Sequence, residues 1–417
     1  MTDPPAVLLA GFEVWPGPSA WARRMTEGVR ASANRHRVLT LSLRGPGLAH
    51  TESLFGARVL RVPPGPGSLL EQVEVFGRAV QRQLDSDAHV LVHTADPLVG
   101  AAVVSHPRRP ALLYEARRLP STELPFLLGR GRDGAVLDRA LRERERECLE
   151  RADAVLVTSR TRAEEIRAAG SRGQIHLVPD GVEPGPLLPR LPGPLRIRHV
   201  GWDLSSAGLR VLVEALRVLG TGARLHLVQP RSKPWEPALQ REVSAAARPG
   251  VITSGPPGAL PGTWADVEVL SGLGPGSRAP AVLADALEAY ARGRPVLAAD
   301  SEAARADLPS GCTVFFPGGD GEALGKALLA LASTPHLLAG SGAEAHAYVE
   351  RRHDAVRVRG LLRDLYRAHG AVSDLRAPAS GAWRPSTPAG WSGGSSRLPG
   401  ERAPEGTDPG TPSGGFG

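Results

Sequence analysis

Short aliphatic runs alternate with segments of helical spacing along most of this 417-residue chain. In the first half the aliphatic runs are residues 7–11, 37–41, 59–62, 90–93, 111–114 and 154–157. Aliphatic strands that are separated by helices are typical of a parallel sheet covered on both faces. The first half of the sequence therefore predicts an α/β domain.

The alternation restarts after a proline-rich segment, residues 184–194, which can continue neither a helix nor a central strand. The aliphatic runs of the second half are residues 195–201, 225–228, 267–270, 295–299 and 313–316. A chain of this length suits two domains of roughly 150–180 residues each. We therefore predict two Rossmann-like domains, residues 1–184 and 185–350, with the proline-rich segment as the hinge between them.

The composition changes abruptly near the end of the chain. Residues 371–417 consist mainly of Gly, Ser, Pro and Thr with scattered charges. Such a segment buries too little apolar surface to offset its ordering entropy, so we expect it to be disordered. Trp383 and Trp391 leave contact with a partner open as the alternative.

The charge pattern limits the classes of partner. The formal net charge is +7, and nearly all the positive charge is arginine because Lys233 and Lys326 are the only lysines. In residues 142–147 arginine alternates with glutamate, which is typical of a solvated helix face. Because no basic stripe with interleaved aromatic residues occurs, we expect no nucleic-acid partner.

Cysteine content and hydropathy bear on the cellular compartment. Two cysteines, Cys148 and Cys312, exclude a disulfide scaffold and a multi-cysteine metal site. No apolar run approaches the roughly 20 residues of a membrane-spanning helix, and the first residues lack a secretory signal pattern. We expect a cytoplasmic protein, and the arginine-rich segments 138–151 and 161–172 leave peripheral contact with the inner face of the membrane open.

Several segments together resemble a known enzyme family. These segments are residues 150–159 followed by 178–182, then 198–201, 288–300 and 316–324. In order and spacing they resemble the retaining GT-B glycosyltransferases of the family 4, or group 1, type, which use nucleotide-activated sugars. The resemblance implies a GT-B fold, in which two Rossmann-like domains face each other across a cleft and a helix over residues 351–370 packs back across the hinge.

On the donor side, the resemblance implies that Glu288 holds the ribose of the donor nucleotide. A carboxylate suits this role because it accepts hydrogen bonds from two vicinal hydroxyls. The glycine-rich loop 271–277 precedes a helix, so its backbone N–H groups and the helix dipole favour a phosphate. The candidate donor-binding residues are Glu288, Gly201, Gly274, Gly276, Ser277 and Arg278. For Glu288 the alternative is a glutamate on the helix surface, and for the loop 271–277 it is an ordinary glycine-rich connector. For Arg278 it is a solvent-facing arginine.

The sequence departs from the family pattern where the donor diphosphate is usually held. Trp202 and Ala207 replace the usual arginine and lysine, and Pro280 replaces a glutamate that touches the transferred sugar. Two lost hydrogen bonds to charged groups correspond to about 3–6 kcal/mol, or about two to four decades of affinity. Arg278 is the best substitute in the sequence, with Arg231 and Lys233 as alternatives.

On the acceptor side, the resemblance points to His93 at a strand end as the catalytic residue that faces the sugar. Glu115, Arg117, Gly17 and Ser19 are candidates for contact with the acceptor or a phosphate. For His93 the alternative is a packed strand-end residue, and for Glu115 and Arg117 it is a surface ion pair. Because the histidines are dispersed, we expect no metal site.

We interpret the sequence as that of a glycosyltransferase. The resemblance implies transfer, with retention, from a nucleoside diphosphate sugar to a sugar, lipid-linked or small-molecule acceptor. It also implies that no metal or organic cofactor takes part, the nucleotide sugar being the co-substrate. The alternative is a non-catalytic GT-B protein that binds a glycan, a nucleotide or a partner enzyme, as the missing cations and Pro280 suggest.

Overall fold

The structure of the protein is a computed structural model. It describes residues 6–17, 19–32, 35–117, 119, 121, 132–187, 192–200, 204–228, 235–246, 251–255, 264–270, 272–273 and 283–369. The predicted tail over residues 371–417 lies outside these ranges. So do the predicted site residues Gly201, Gly274, Gly276, Ser277 and Arg278.

The first half of the chain forms a sheet with helices between its strands. Its elements are β1 (Ala6–Val14), α1 (Ala20–Ser32), β2 (Arg37–Leu43), β3 (Thr51–Leu54), β4 (Ala57–Val62), α2 (Leu69–Ser86), β5 (His89–Thr94), α3 (Pro97–Ser105), β6 (Ala111–Glu115), α4 (Arg132–Arg151), β7 (Ala154–Val157), α5 (Arg160–Ala168) and β8 (Gln174–Leu177). The strands run in the order β3-β4-β2-β1-β5-β6-β7-β8, and every neighbouring pair is parallel except β3 with β4. Val7, Leu8 and Leu9 of the central strand are fully buried, as expected for a parallel sheet with two covered faces.

The second half forms another parallel sheet. Its elements are β9 (Leu195–Val200), α6 (Ser206–Leu219), β10 (Ala223–Val228), α7 (Pro237–Ala246), β11 (Ile252–Gly255), β12 (Val267–Leu270), α8 (Leu283–Tyr290), β13 (Val296–Ala299), α9 (Glu302–Asp307), β14 (Thr313–Phe316), α10 (Gly321–Ser333), α11 (Pro335–Arg352) and α12 (Ala355–His369). The strand order is β11-β10-β9-β12-β13-β14. The order reverses between β9 and β12, and ligands of doubly wound sheets bind at the carboxyl ends of the strands at such a point.

The last described helix, α12, packs against the first sheet. Val358, Leu362 and Tyr366 belong to one buried apolar cluster with residues of β1 and α1. The approach is close at Gly28 of α1, where a Cβ atom would lie 2.6 Å from the Tyr366 hydroxyl. The chain therefore crosses from its second half back to the domain that contains its beginning.

Strand β9 is central in the second sheet, yet one of its faces carries charge. Leu195 and Ile197 are buried, while the alternate residues Arg196 and Arg198 are only partly so. Arg196 donates two hydrogen bonds to Asp266, of 2.7 and 3.1 Å, and Arg198 pairs with Glu268 across the strands. These ion pairs replace the aliphatic contacts that usually cover a central parallel strand.

His199 of β9 makes the stability of the protein depend on pH. The ring is buried, its Nδ1 atom donates to the Val269 carbonyl over 2.9 Å, and burial lowers its pKa to about 4. The unfolded chain regains the ordinary pKa of 6.5, so it binds a proton more readily and folding weakens as the pH falls from 6.5 towards 4.

We therefore expect His199→Gln to flatten this dependence. Between pH 7 and about pH 4.5, the wild type should lose about 2 kcal/mol more of its free energy of unfolding than the variant does. Urea unfolding at a series of pH values measures the difference. Parallel pH profiles for the two proteins would contradict the expectation.

Candidate active site

The beginning of α1 lies at the carboxyl end of β1. Gly17 sits in the turn before the helix, where a Cβ atom would lie 2.5 Å from the Val14 carbonyl oxygen, so the turn requires glycine. The Ser19 hydroxyl accepts a hydrogen bond from the backbone N–H of Ala22 over 3.0 Å and also bonds to Glu13. The structure thus brings two predicted residues, Gly17 and Ser19, together beside a carboxylate that the sequence analysis missed.

A buried cluster of charges occupies the neighbouring part of the sheet edge. Glu115 ends β6, and its Oε1 atom accepts from Arg24 of α1 over 2.9 Å and from Arg117 over 2.8 Å. Arg117 also pairs with Asp180, and His93 of β5 contacts the second oxygen of Glu115 over 3.1 Å. The side chains of Glu115, Arg24 and His93 are at most 1% exposed. We refer to Arg24, His93, Glu115, Arg117 and Asp180 as the buried cluster.

The protonation of His93 follows from its partners. A carboxylate only accepts hydrogen bonds, so Nε2 carries the proton and donates to Glu115. Nδ1 then accepts from the Tyr366 hydroxyl of α12 over 2.8 Å. Burial lowers the pKa of His93, which agrees with a neutral ring. Both ring nitrogens are therefore engaged within the protein.

The charges of the buried cluster compensate one another. Burial alone would raise the pKa of Glu115, but Arg24, the hydrogen bond from His93, and Arg117 together hold it well below its usual range. Burial likewise raises the pKa of Asp180, but Arg117 and Arg24 outweigh burial and hold this pKa below its usual value. Two guanidinium groups thus face two carboxylates, and the cluster holds little unbalanced charge for an anionic ligand.

Glu288 has very different surroundings. It lies on α8, and its side chain is 51% exposed. Arg292, one turn further along the helix, is 3.9 Å away. The carboxylate is therefore accessible to a ligand, at the part of the second sheet that follows the reversal of strand order.

A hydrogen bond joins α1 to α8. Arg23 donates from Nη2 to the carbonyl of Ala284 over 3.1 Å, although 261 residues separate the two. Arg23 is half-buried, whereas the adjacent Arg24 points into the buried cluster. The contact places a guanidinium from the first half of the chain at the first turn of the helix that carries Glu288.

The sequence predicts neither a metal site nor a membrane-spanning helix. Within the described ranges, no group of three or more His, Cys, Asp and Glu side chains is arranged to hold a metal ion. None of the described helices combines the length and apolarity needed to cross a membrane.

Ala207, one of the departures from the family pattern, lies in the first turn of α6, whereas Trp202 and Pro280 fall outside the described residues.

Sequence reasoning missed several residues of this region. Arg24, Asp180, Tyr366, Glu13 and Arg23 were not among the candidates. Asp180 lies in residues 178–182, a segment that carries part of the family resemblance, so the sequence already gave a reason to consider it. Arg23 and Arg24 had no signal, because many arginines of this chain look alike in sequence.

Removing the Glu115 charge should destabilise the protein. Glu115→Gln leaves two buried guanidinium groups with one carboxylate, and breaking a buried ion pair costs about 3–5 kcal/mol. Glu183→Gln is the matched control, since Glu183 pairs with Arg30 but its side chain is 68% exposed, and it should cost about 1 kcal/mol or less. Urea unfolding followed by circular dichroism compares the two, and equal losses would contradict the role of burial.

The chain is similar in sequence to one protein family and in fold to several solved structures. Residues 17–181 match the family described as "Glycosyl transferase 4-like domain". No curated protein matches the chain. Among solved structures, sucrose-phosphate synthase from Thermosynechococcus elongatus is 20% identical with a TM-score of 0.70, and the match covers 87% of this chain and 98% of that one.

Two further solved structures share the fold. HepE from Anabaena, in complex with UDP-glucose, is 14% identical with a TM-score of 0.64, over 87% of this chain and 99% of that one. A glycosyltransferase from Rickettsia africae is 13% identical with a TM-score of 0.58, over 88% of this chain and 99% of that one. At such identities the likeness concerns the fold, and it spans both sheets.

Proposed function

We propose that the chain is a glycosyltransferase of the family 4 type and that its donor is a nucleoside diphosphate sugar. The match of residues 17–181 to a glycosyl transferase 4-like domain and the likeness of the fold to solved glycosyltransferases support this proposal. The predicted two-domain α/β fold is confirmed, and the family model that matches residues 17–181 supports the predicted family. The domain boundaries and the site residues stay predictions.

The observation that carries the proposed donor is the position of Glu288. Its exposed carboxylate lies on the helix that follows β12, beside the reversal of strand order where doubly wound sheets bind ligands. A carboxylate there can accept from both ribose hydroxyls of a nucleotide. The UDP-glucose in the HepE structure supports this class of donor.

The proposed reaction retains the anomeric configuration, with the donor phosphate helping to deprotonate the acceptor. Neither a metal nor an organic cofactor takes part in it. The glucose that accompanies UDP in a second HepE structure supports a sugar as the acceptor. Lipid-linked and small-molecule acceptors remain within the proposal.

Gly17, Ser19 and Glu13 are the residues proposed to line the acceptor side, because they lie where β1 meets α1. For His93, Glu115 and Arg117, the mutual hydrogen bonds of the buried cluster favour a positioning role over contact with substrate. His93 as the catalytic residue stays a prediction.

The alternative, a non-catalytic GT-B protein, is favoured by one observation. Arg24 and Arg117, two guanidinium groups near the sheet edge, are neutralised by Glu115 and Asp180 instead of being available to a diphosphate. Such a protein would bind a glycan, a nucleotide or a partner enzyme without transferring a sugar.

Glu288→Ala tests the proposed donor site. Calorimetry with UDP-, GDP- and ADP-sugars identifies the donor of the wild type, and the variant should bind it about ten- to a hundredfold more weakly, since a hydrogen bond to a charged group is lost. The control is Glu322→Ala, because Glu322 is another helix-surface glutamate with a cation one turn away, Lys326, at 2.7 Å. It should leave affinity unchanged.

Two outcomes would count against the proposal. If no nucleotide sugar binds to the wild type, the non-catalytic alternative is favoured. If a donor binds but Glu288→Ala binds it as tightly as Glu322→Ala does, Glu288 is not the ribose anchor. Release of free sugar or transfer to glucose, followed with the bound donor, distinguishes an enzyme from a binding protein.

A further inference from the structure

Arg61 of β4 is a fully buried arginine that does not belong to the buried cluster. All three nitrogen atoms of its guanidinium have partners. Nε donates to the carbonyl of Trp15 over 2.9 Å, Nη1 donates to the carbonyl of Ala49 over 2.8 Å, and Nη2 pairs with Glu52. Because a buried guanidinium is costly without such partners, the position of each partner is coupled to that of Arg61.

The partners of Arg61 lie in two different loops. Trp15 begins the loop between β1 and α1, and Ala49 belongs to the loop between β2 and β3, residues 44–50. The backbone N–H of Arg61 also donates to the carbonyl of His50 over 2.8 Å. We refer to the two segments as the β1–α1 loop and the β2–β3 loop. Both follow the carboxyl ends of neighbouring parallel strands, so Arg61 joins two loops at one edge of the sheet.

The two loops also lie close to each other. At Gly45 of the β2–β3 loop, an added Cβ atom would lie 2.8 Å from Cγ1 of Val14, the last residue of β1. On the side of α1, the ring Nε1 atom of Trp15 donates to the Ala22 carbonyl and to the Thr26 hydroxyl, both over 3.1 Å. The beginning of the β1–α1 loop is therefore held between the β2–β3 loop and α1.

The residues proposed to line the acceptor side are close to this anchor in sequence. Glu13 and Gly17 are each two positions from Trp15, and Ser19 is bonded to Glu13. Their arrangement thus depends on the path of the backbone at Trp15. A displacement of roughly 1 Å in a segment that positions a substrate can cost about a hundredfold in rate.

We propose that Arg61 is a positioning residue for the acceptor: it joins the β1–α1 and β2–β3 loops into one surface, and the acceptor contacts both loops. This inference rests on the proposed function, since it takes Glu13, Gly17 and Ser19 as the acceptor side. Arg61 itself is buried and does not touch the acceptor.

The inference extends the acceptor side to the β2–β3 loop. Arg44, Pro46 and Gly47 of this loop are exposed, and Arg44 donates to the Leu48 carbonyl over 2.9 Å. The loop thus presents accessible atoms next to the β1–α1 loop. The donor, by contrast, is proposed to bind at the second sheet, so its affinity should not depend on Arg61.

Arg61→Met tests this difference, because it removes the three side-chain contacts and keeps much of the apolar stem. The KM for the acceptor should rise about ten- to a hundredfold, since buried hydrogen bonds are left unmade, while the donor affinity changes little. Arg61→Lys should recover part of the loss, because lysine restores the charge without the planar fork. Transfer from the donor found by calorimetry to glucose and to octyl glucoside measures KM and kcat.

Arg37→Met is the matched control. Arg37 begins β2, at the opposite end of the same sheet, where it pairs with Asp87, and its side chain is 20% exposed. Its loss should lower the free energy of unfolding and leave the acceptor KM unchanged. If Arg61→Met does not fold, Gly45→Ala carries the test, because the added methyl group presses on Val14 while Arg61 stays in place.

Hydrogen exchange without substrate measures the joining of the loops directly. The amides of both loops should exchange faster in Arg61→Met than in Arg37→Met. Faster exchange in neither loop or in one loop would overturn the inference. So would an unchanged acceptor KM with both loops loosened, although the proposed function would stand. If the wild type binds no nucleotide sugar but both loops exchange faster in Arg61→Met, the joining of the loops stands and the proposed function fails.

Discussion

The ion pair between Arg24 and Glu115 fixes helix α1 on the edge of the first sheet. Glu115 ends β6, and Arg24 projects from α1 to reach it, with both side chains removed from water. The same guanidinium donates to the carbonyls of Val178 and Pro179, over 2.8 and 3.0 Å, in the segment that leads out of the first sheet. Because the desolvation of an arginine is costly, these three acceptors are needed to offset the burial of Arg24.

Hydrogen bonds connect this ion pair to α12, the last helix of the described chain. Glu115 accepts a hydrogen bond from Nε2 of His93, and Nδ1 of His93 accepts one from the Tyr366 hydroxyl of α12. The linker residue Val182 bonds to the turn between α11 and α12, where its N–H donates to the His353 carbonyl over 2.8 Å. Sheet edge, linker and returning helix are therefore held by one continuous network, which leaves little freedom for the position of α12.

Arginines that lie close together in this region have different partners. Arg24 and Arg117 pair with the buried carboxylates of Glu115 and Asp180, while Arg23, next to Arg24 in sequence, donates to the Ala284 carbonyl of α8. On an α-helix consecutive side chains point about 100° apart, so one helix serves both purposes.

Much of the fold could be predicted from the sequence, because burial on both faces requires aliphatic residues. The runs 7–11 and 37–41 correspond to β1 and β2, and the run 313–316 to β14. Strands β3 and β8 were missed because they are partly exposed and polar, Thr51–Leu54 and Gln174–Leu177. Helix α3 was missed because it is buried nearly all round and shows no amphipathic period.

The sequence by itself determined the α/β class and pointed to a sugar-transfer family and to Glu288, since each of these depends on local pattern or on motif order along the chain. Only the tertiary structure decided which groups the neighbouring arginines of α1 contact. Arg24 meets Glu115 across 91 positions and Arg23 meets Ala284 across 261. Such partners are set by the strand order and by the packing of helices at the sheet edge, and neighbouring arginines in one helix carry no local signal that distinguishes them.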